Sequence, residues 1–175
     1  MSNKNKVVVG LLTASLGFIG GVKVNEGFTS NPVIPTKGDV PTIWHGTTKY
    51  PNGVAVTLYD PPITRETADY YLRHHVGKTE RQLKNSIPNV ALSQTEYDVY
   101  LSFVYQYGIG RFNKSPMRAN LLQGQYAQAC RSLLQYRFMT KPVKRDCSIR
   151  SNNCYGVYTR QLERYKKCIG ENQWT

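Results

Sequence analysis

The chain has 175 residues, 40% of them hydrophobic and 13 of them Tyr, enough for one domain plus an appendage, and this excludes global disorder. Its 23 Lys and Arg against 11 Asp and Glu give a net charge of +12, which favours an anionic partner: nucleic acid, anionic lipid or an acidic cell-wall polymer. Charge alone does not choose among them, and excess Lys and Arg also serve plain solubility.

The amino-terminal "MSNKNK" places Lys4 and Lys6 before "VVVGLLTASLGFIGGV", residues 7–22, which carry no charge. A helix of 16 residues spans roughly 24 Å, short of the roughly 30 Å hydrocarbon core of a bilayer. The preceding lysines predict a cytoplasmic amino end and export of the rest of the chain. The run ends without a good small-x-small cleavage pattern, and Gly10, Gly17, Gly20 and Gly21 dilute its hydrophobicity. Residues 1–25 are therefore expected to form a weak, uncleaved, releasable anchor, with a plain buried helix as the alternative.

Residues 26–60 read as a small β-rich lobe, with Pro51-Asn52-Gly53 as a turn before the extended Val54, Val56 and Leu58. From Thr64, a capping residue, the period becomes helical, with Ala68, Tyr71, Leu72 and Val76 on one face. "SQTE" at 93–96 is a capping box, and Tyr97, Tyr100, Leu101, Val104 and Tyr107 continue behind it at helical spacing. Gly108 and Gly110 break that helix, Ser115-Pro116 starts another, and Gly124 interrupts again. A further helical face is marked by Tyr126, Cys130, Leu133 and Leu134. The last helix is expected near 158–169, ending at Gly170. The expected architecture is α+β, a small sheet and then a larger helical lobe with a cleft between them.

All four cysteines lie in the last third, and their spacing lacks the paired pattern of a zinc site. An even number behind an export signal points to disulfides. Cys147 and Cys154 bracket the polar loop "SIRSNN" and can close it locally, leaving Cys130 and Cys168 to join two helices; this is one of three connectivities. His74 and His75 are adjacent on a helix and diverge, so no metal site is expected there, and no cofactor either.

The chemistry-bearing residues gather in "VKVNEGFTSNPVIPTKGDVPTIWHGTT", residues 22–48. Cleaving a glycoside needs a carboxylic acid to protonate the leaving oxygen and a second polar group across the sugar. Glu26 fits the first role, and Asp39 or a threonine-held water the second. A Gly-Asp-Val-Pro turn also uses its Asp simply to bond its own backbone.

Six stretches then carry a resemblance: "EGF" at 26–28, "GDVPTIWHGTT" at 38–48, "DPPIT" at 60–64, "LSQTEYDVYLSFVYQYGIGRF" at 92–112, "ACRSLL" at 129–134 and "CYGVYTRQLER" at 154–164. In this order they resemble the phage endolysin muramidases of glycoside hydrolase family 24, and with the apolar leader they resemble its signal-anchor-release subgroup. The resemblance implies a lysozyme-like fold, with residues 26–175 as a muramidase domain. It also implies hydrolysis of the β-1,4 bond between N-acetylmuramic acid and N-acetylglucosamine in peptidoglycan, leading to host lysis.

Glu26-Gly27 matches the family's acid and Thr42 its threonine. The family's Asp slot, six residues before that threonine, holds Thr36 here, and Asp39 is the nearby carboxylate. Either Asp39 takes the role, or Thr36 and Thr42 position the water. Trp44, His45 and Tyr107 are candidates to line the sugar cleft. An inserted leader would hold Glu26 at the bilayer surface and keep the enzyme silent in the host inner membrane. Release to the periplasm would activate it as a monomer. The rival within the same fold is a peptidoglycan-binding protein whose catalysis is impaired at the Asp slot. Nucleic acid is not expected as a partner, because Lys and Arg are dispersed from 65 to 167 and no recognition motif is present.

Overall fold

The computed structural model describes residues 5–26, 29–35, 38–43, 47–140 and 142–170, with the side chains of 24–26 left undescribed. The chain forms two compact units: residues 14–81 as one, and residues 1–13 together with 82–175 as the other.

The second unit is helical. One of its two short strand pairs is β1 (Val7–Val8) against β2 (Ala91–Leu92), antiparallel, with Val7 opposite Leu92. A 3-10 turn at Val9–Leu11 comes directly after β1, and the Val9 amide donates to the Val90 carbonyl at 2.9 Å. The helices are α3 (Gln94–Tyr107), α4 (Ile109–Asn113), α5 (Pro116–Leu122), α6 (Tyr126–Ser132) and α7 (Tyr155–Gly170). α3 starts on the expected capping box: Ser93 accepts from the Glu96 amide, and the Glu96 carboxylate accepts from the Ser93 amide at 2.9 Å. It stops at Gly108, whose φ of +80° few other residues adopt. Ser115 caps α5 with Pro116 at its first position. Tyr97, Tyr100, Leu101, Phe103, Phe112 and Met117 are fully buried and form the core of this unit.

Both disulfides of the proposed pairing form, Cys130–Cys168 with Cα atoms 5.5 Å apart and Cys147–Cys154 at 4.9 Å. The Tyr100 hydroxyl lies 3.3 Å from Cys168 Sγ, and burial drives its phenol well above the usual range. A short hairpin, β3 (Phe138–Met139) against β4 (Arg145–Asp146), had no signal in the sequence. α7 begins earlier than the expected residue 158, because Cys154 anchors the turn before it through the bridge to Cys147.

The first unit is thinner. α1 (Leu16–Glu26) leads into extended chain held by three isolated antiparallel bridges, Val33 to Thr42, Ile43 to Thr47 and Lys49 to Ala55. Gly53, at φ +87°, closes the expected turn by donating to the Tyr50 carbonyl at 2.9 Å. The extended run anticipated through Val54, Val56 and Leu58 forms in part: the Tyr50 amide donates to the Val54 carbonyl and the Val56 amide to the Thr48 carbonyl, both at 2.9 Å around the Lys49–Ala55 bridge, whereas Leu58 sits in a turn. α2 (Arg65–Ser86) begins in this unit, with Thr64 Oγ1 accepting from the Thr67 amide and Ala68, Leu72 and Val76 buried along one face.

The apolar run 7–22 is not one helix in the folded chain. It is divided into β1, the 3-10 turn, an extended link and the first turns of α1, because separate partners claim each piece. Among the described residues, no helix is long and apolar enough to cross a membrane.

Candidate active site

The candidate acid, Glu26, is the last residue of α1. Three contacts set the position of that helix. Ser15 Oγ accepts from the Phe18 amide at 3.0 Å and so starts it. The Ala14 amide just before it donates to Glu80 Oε1 at 2.7 Å. Lys23, one turn before the end, pairs with Asp69 of α2 at 2.6 Å. Two α2 carboxylates therefore fix the register of the helix that ends in Glu26. Its glycines are not demanded by packing: a Cβ at Gly20 or Gly21 would meet nothing within 4 Å, and one at Gly17 would meet only Ser15 Oγ at 3.6 Å.

Thr42 is buried and doubly tied to Val33, whose amide donates to the Thr42 carbonyl at 2.7 Å and whose carbonyl accepts from the Thr42 amide at 2.8 Å. Thr42 Oγ1 also reaches the Val33 carbonyl at 3.3 Å, a long contact that a better acceptor could replace. Ile43, fully buried, pairs with Thr47. Residues 44–46 between them lie outside the described residues, so Trp44 and His45 do too, as does Thr36. Asp39 is exposed, one residue after Gly38 in a left-handed turn at φ +92°.

Tyr107 is built into the helical unit. Its hydroxyl accepts from Gln161 Nε2 at 2.6 Å, and Gln161 is fully buried. Its ring packs on Phe103 at 4.8 Å and Tyr136 at 6.0 Å, with the Arg164 guanidinium 5.8 Å from its centre. Arg164 in turn holds Ser102 and Gln106, so this residue ties α3 to α7. His74 and His75 meet edge to face at 5.8 Å, and His75 Nε2 donates to the Lys49 carbonyl at 3.0 Å. Among the described residues, no group of three His, Cys, Asp or Glu side chains could hold a metal ion.

Sequence reasoning passed over one polar group near the start of α2. Tyr50, Asp60, Tyr70 and Tyr71 converge on an open cavity of about 490 Å³. The Tyr50 hydroxyl donates to Asp60 Oδ2 at 2.8 Å, and Thr57 donates to the same carboxylate through its amide at 2.9 Å and its hydroxyl at 2.7 Å. Those bonds, the Thr57 hydroxyl first, hold Asp60 below the usual carboxylate range. Burial, with Asp60 beside it, pushes the Tyr50 phenol up to about 12. The "DPPIT" stretch was the signal that could have found it.

A family model for phage lysozyme matches residues 23–143, more than half of the chain and including all the candidates from Glu26 to Tyr107. The chain belongs to the phage lysozyme family. Solved structures agree on the fold. The endolysin of Escherichia coli O157:H7 phage FAHEc1, 22% identical, superposes with a TM-score of 0.77 over 91% of this chain and 95% of that one. A variant of phage P22 lysozyme, 21% identical, gives 0.70 over 91% and 99%. The active form of the phage P1 endolysin, 13% identical, gives 0.70 over 93% and 88%. No curated protein sequence matches the chain. The fold is therefore lysozyme-like and α+β, as the resemblance implied.

Proposed function

We propose that the protein is an endolysin that hydrolyses the β-1,4 bond between N-acetylmuramic acid and N-acetylglucosamine in peptidoglycan. The observation that carries this reading is the family match over 23–143, with Glu26 ending a helix held by two α2 carboxylates. In this mechanism Glu26 protonates the leaving oxygen. Thr42, its backbone fixed by Val33, holds the attacking water, aided by Asp39 or Thr36.

Mass analysis of the sugar ends released from purified wall tests the reading directly. Glu26→Gln is expected to lose about 10²–10⁴-fold in rate, the usual contribution of a general acid. Full-speed digestion by that variant overturns the assignment. No release by the wild type would favour the binding-only protein suggested by Thr36 in the Asp slot.

The same reading includes a membrane-held form, with the chain in the host inner membrane before release and a monomer in the periplasm afterwards. Lys4 and Lys6 ahead of the uncharged run support it. So do the α1 glycines, each costing about 1 kcal/mol against Ala in a helix interior. The fold has no packing use for them. A weakly inserting segment does have one. Gly17→Leu with Gly20→Leu is expected to move the chain into the membrane fraction and delay lysis. Unchanged partition and timing would remove the tether.

A further inference from the structure

From the cavity beside the start of α2 we infer a second saccharide site on the 14–81 unit, taking one neutral pyranose of a glycan strand; it rests on the function proposed above only for the identity of that glycan as peptidoglycan. Three tyrosines and a carboxylate wall the site. Tyr70 is 64% exposed and stands 5.8 Å from Tyr71, which meets Tyr50 edge-on at 5.6 Å. Aromatic faces of this kind stack on the apolar C–H face of a sugar ring, while hydroxyls and the acetamido N–H need acceptors at the rim. Asp60 is such an acceptor, and its three donated hydrogen bonds hold it in one orientation. The Asn52 side-chain Oδ1 accepts from the Val54 amide at 3.1 Å, which sets the orientation of an amide that also lines the cavity.

The walls are set before any ligand arrives. Pro51 and Pro61 stiffen the loops, the Tyr50–Val54 turn is closed by backbone bonds, and the Ile63 amide is tied to the Ser30 carbonyl at 3.0 Å. A cage of rings with a carboxylate also suits an ammonium group. Two features speak against a cation: Asp60 already shares its charge with Thr57 and Tyr50, and the chain carries +12 overall. A neutral polyol meets neither obstacle.

The test compares the full chain with Tyr70→Ala, an exposed position whose truncation leaves the fold intact, and with Tyr50→Phe as a second variant that loses only the hydroxyl. Pelleting with purified sacculi is run in the Glu26→Gln background, and kcat and KM on sacculi in the active one. Expected are about fivefold weaker pelleting and a KM raised about fivefold for Tyr70→Ala, with kcat unchanged. Tetrameric N-acetylglucosamine should displace the parent chain but act less on the variant. Pelleting and KM unchanged in both variants overturn the site, as does displacement by tetramethylammonium and not by the sugar. If the wild type frees no sugar ends while Tyr70→Ala still weakens pelleting, the hydrolase reading fails and the saccharide site stands.

Discussion

The two units are built on different terms. The helical unit fills its interior with large side chains: Tyr97, Tyr100, Leu101, Phe103, Phe112 and Met117 are essentially fully buried, and two disulfides cross it. Among the described residues, the 14–81 unit has only Ile43 and Leu72 as large, fully buried side chains, and isolated bridges in place of a ladder. Glu26, Asp39, Thr42 and the tyrosine cavity all belong to this thinner unit. A unit with fewer large buried side chains is expected to open more readily than one that is densely filled.

Paired truncations test that division. Phe103→Ala removes a ring wedged between Tyr107 and Tyr136, 4.6 Å from the latter, and is expected to cost about 3–5 kcal/mol of global stability. Ile43→Ala removes a fully buried side chain of the other unit. It should raise hydrogen exchange across 14–81 while leaving amides of α3 protected. Equal loss of protection in α3 from both changes would show that the units do not open separately.

The disulfides give the next effect. Cys130–Cys168 closes a separation of 38 residues, and replacing both by Ser should cost about 4 kcal/mol on the chain-entropy account. Cys147–Cys154 closes only 7 residues, for which the same account gives about 2.5 kcal/mol. Thermal unfolding of the two double variants should rank them in that order. Wall lysis by the second should be near normal, because its loop lies in the helical unit.

The same contrast governs what the sequence disclosed. In the helical unit the local signals decide the structure: the Ser93–Glu96 box, Ser115-Pro116 and the positive-φ Gly108 and Gly124 stand where they were expected. The cysteine pairing also agreed with the spacing. The leader was different, because a uniformly apolar run has no period to say where it breaks. Its division comes from distant partners: Lys6 forms a buried ion pair with Glu96 at 2.8 Å, Val7 pairs with Leu92, and the Ala14 amide finds Glu80. In the thin unit Tyr71 was expected on the buried face of α2 with Leu72, yet it also lines the cavity, since a half-buried ring serves both surfaces. The candidates Glu26 and Thr42 were singled out by their neighbours in "EGF" and "PTIWHGTT", and the structure places one at the end of α1 and the other in the bridge to Val33. The cavity required the turn at Gly53 to bring Tyr50 to Asp60.

The smallest effect is the one most particular to the thin unit. All three histidines of the chain lie between 45 and 75, within residues 14–81. Burial holds His75 below the usual imidazole range, against the opposing bond to the Lys49 carbonyl and with the charges of His74 and Lys78 adding to the shift. The folded unit thus keeps His75 neutral where the unfolded chain, with an ordinary value of about 6.5, takes up a proton. Its stability should decline as pH falls below about 6.5 and level off once the folded-state value is passed. The helical unit carries Asp146, held low by the Ser148 amide and hydroxyl and by Arg137. That contribution is intact above an unfolded value of about 3.9 and lost only as pH falls below it. Hydrogen exchange between pH 7 and 5 should therefore quicken in residues 47–76 and stay flat in α3 and α7. His75→Gln retains a donor for Lys49 without the titration, and it should flatten the first trace. If both units loosen together at mildly acidic pH in that variant, the weakness belongs to the whole chain and not to the histidine.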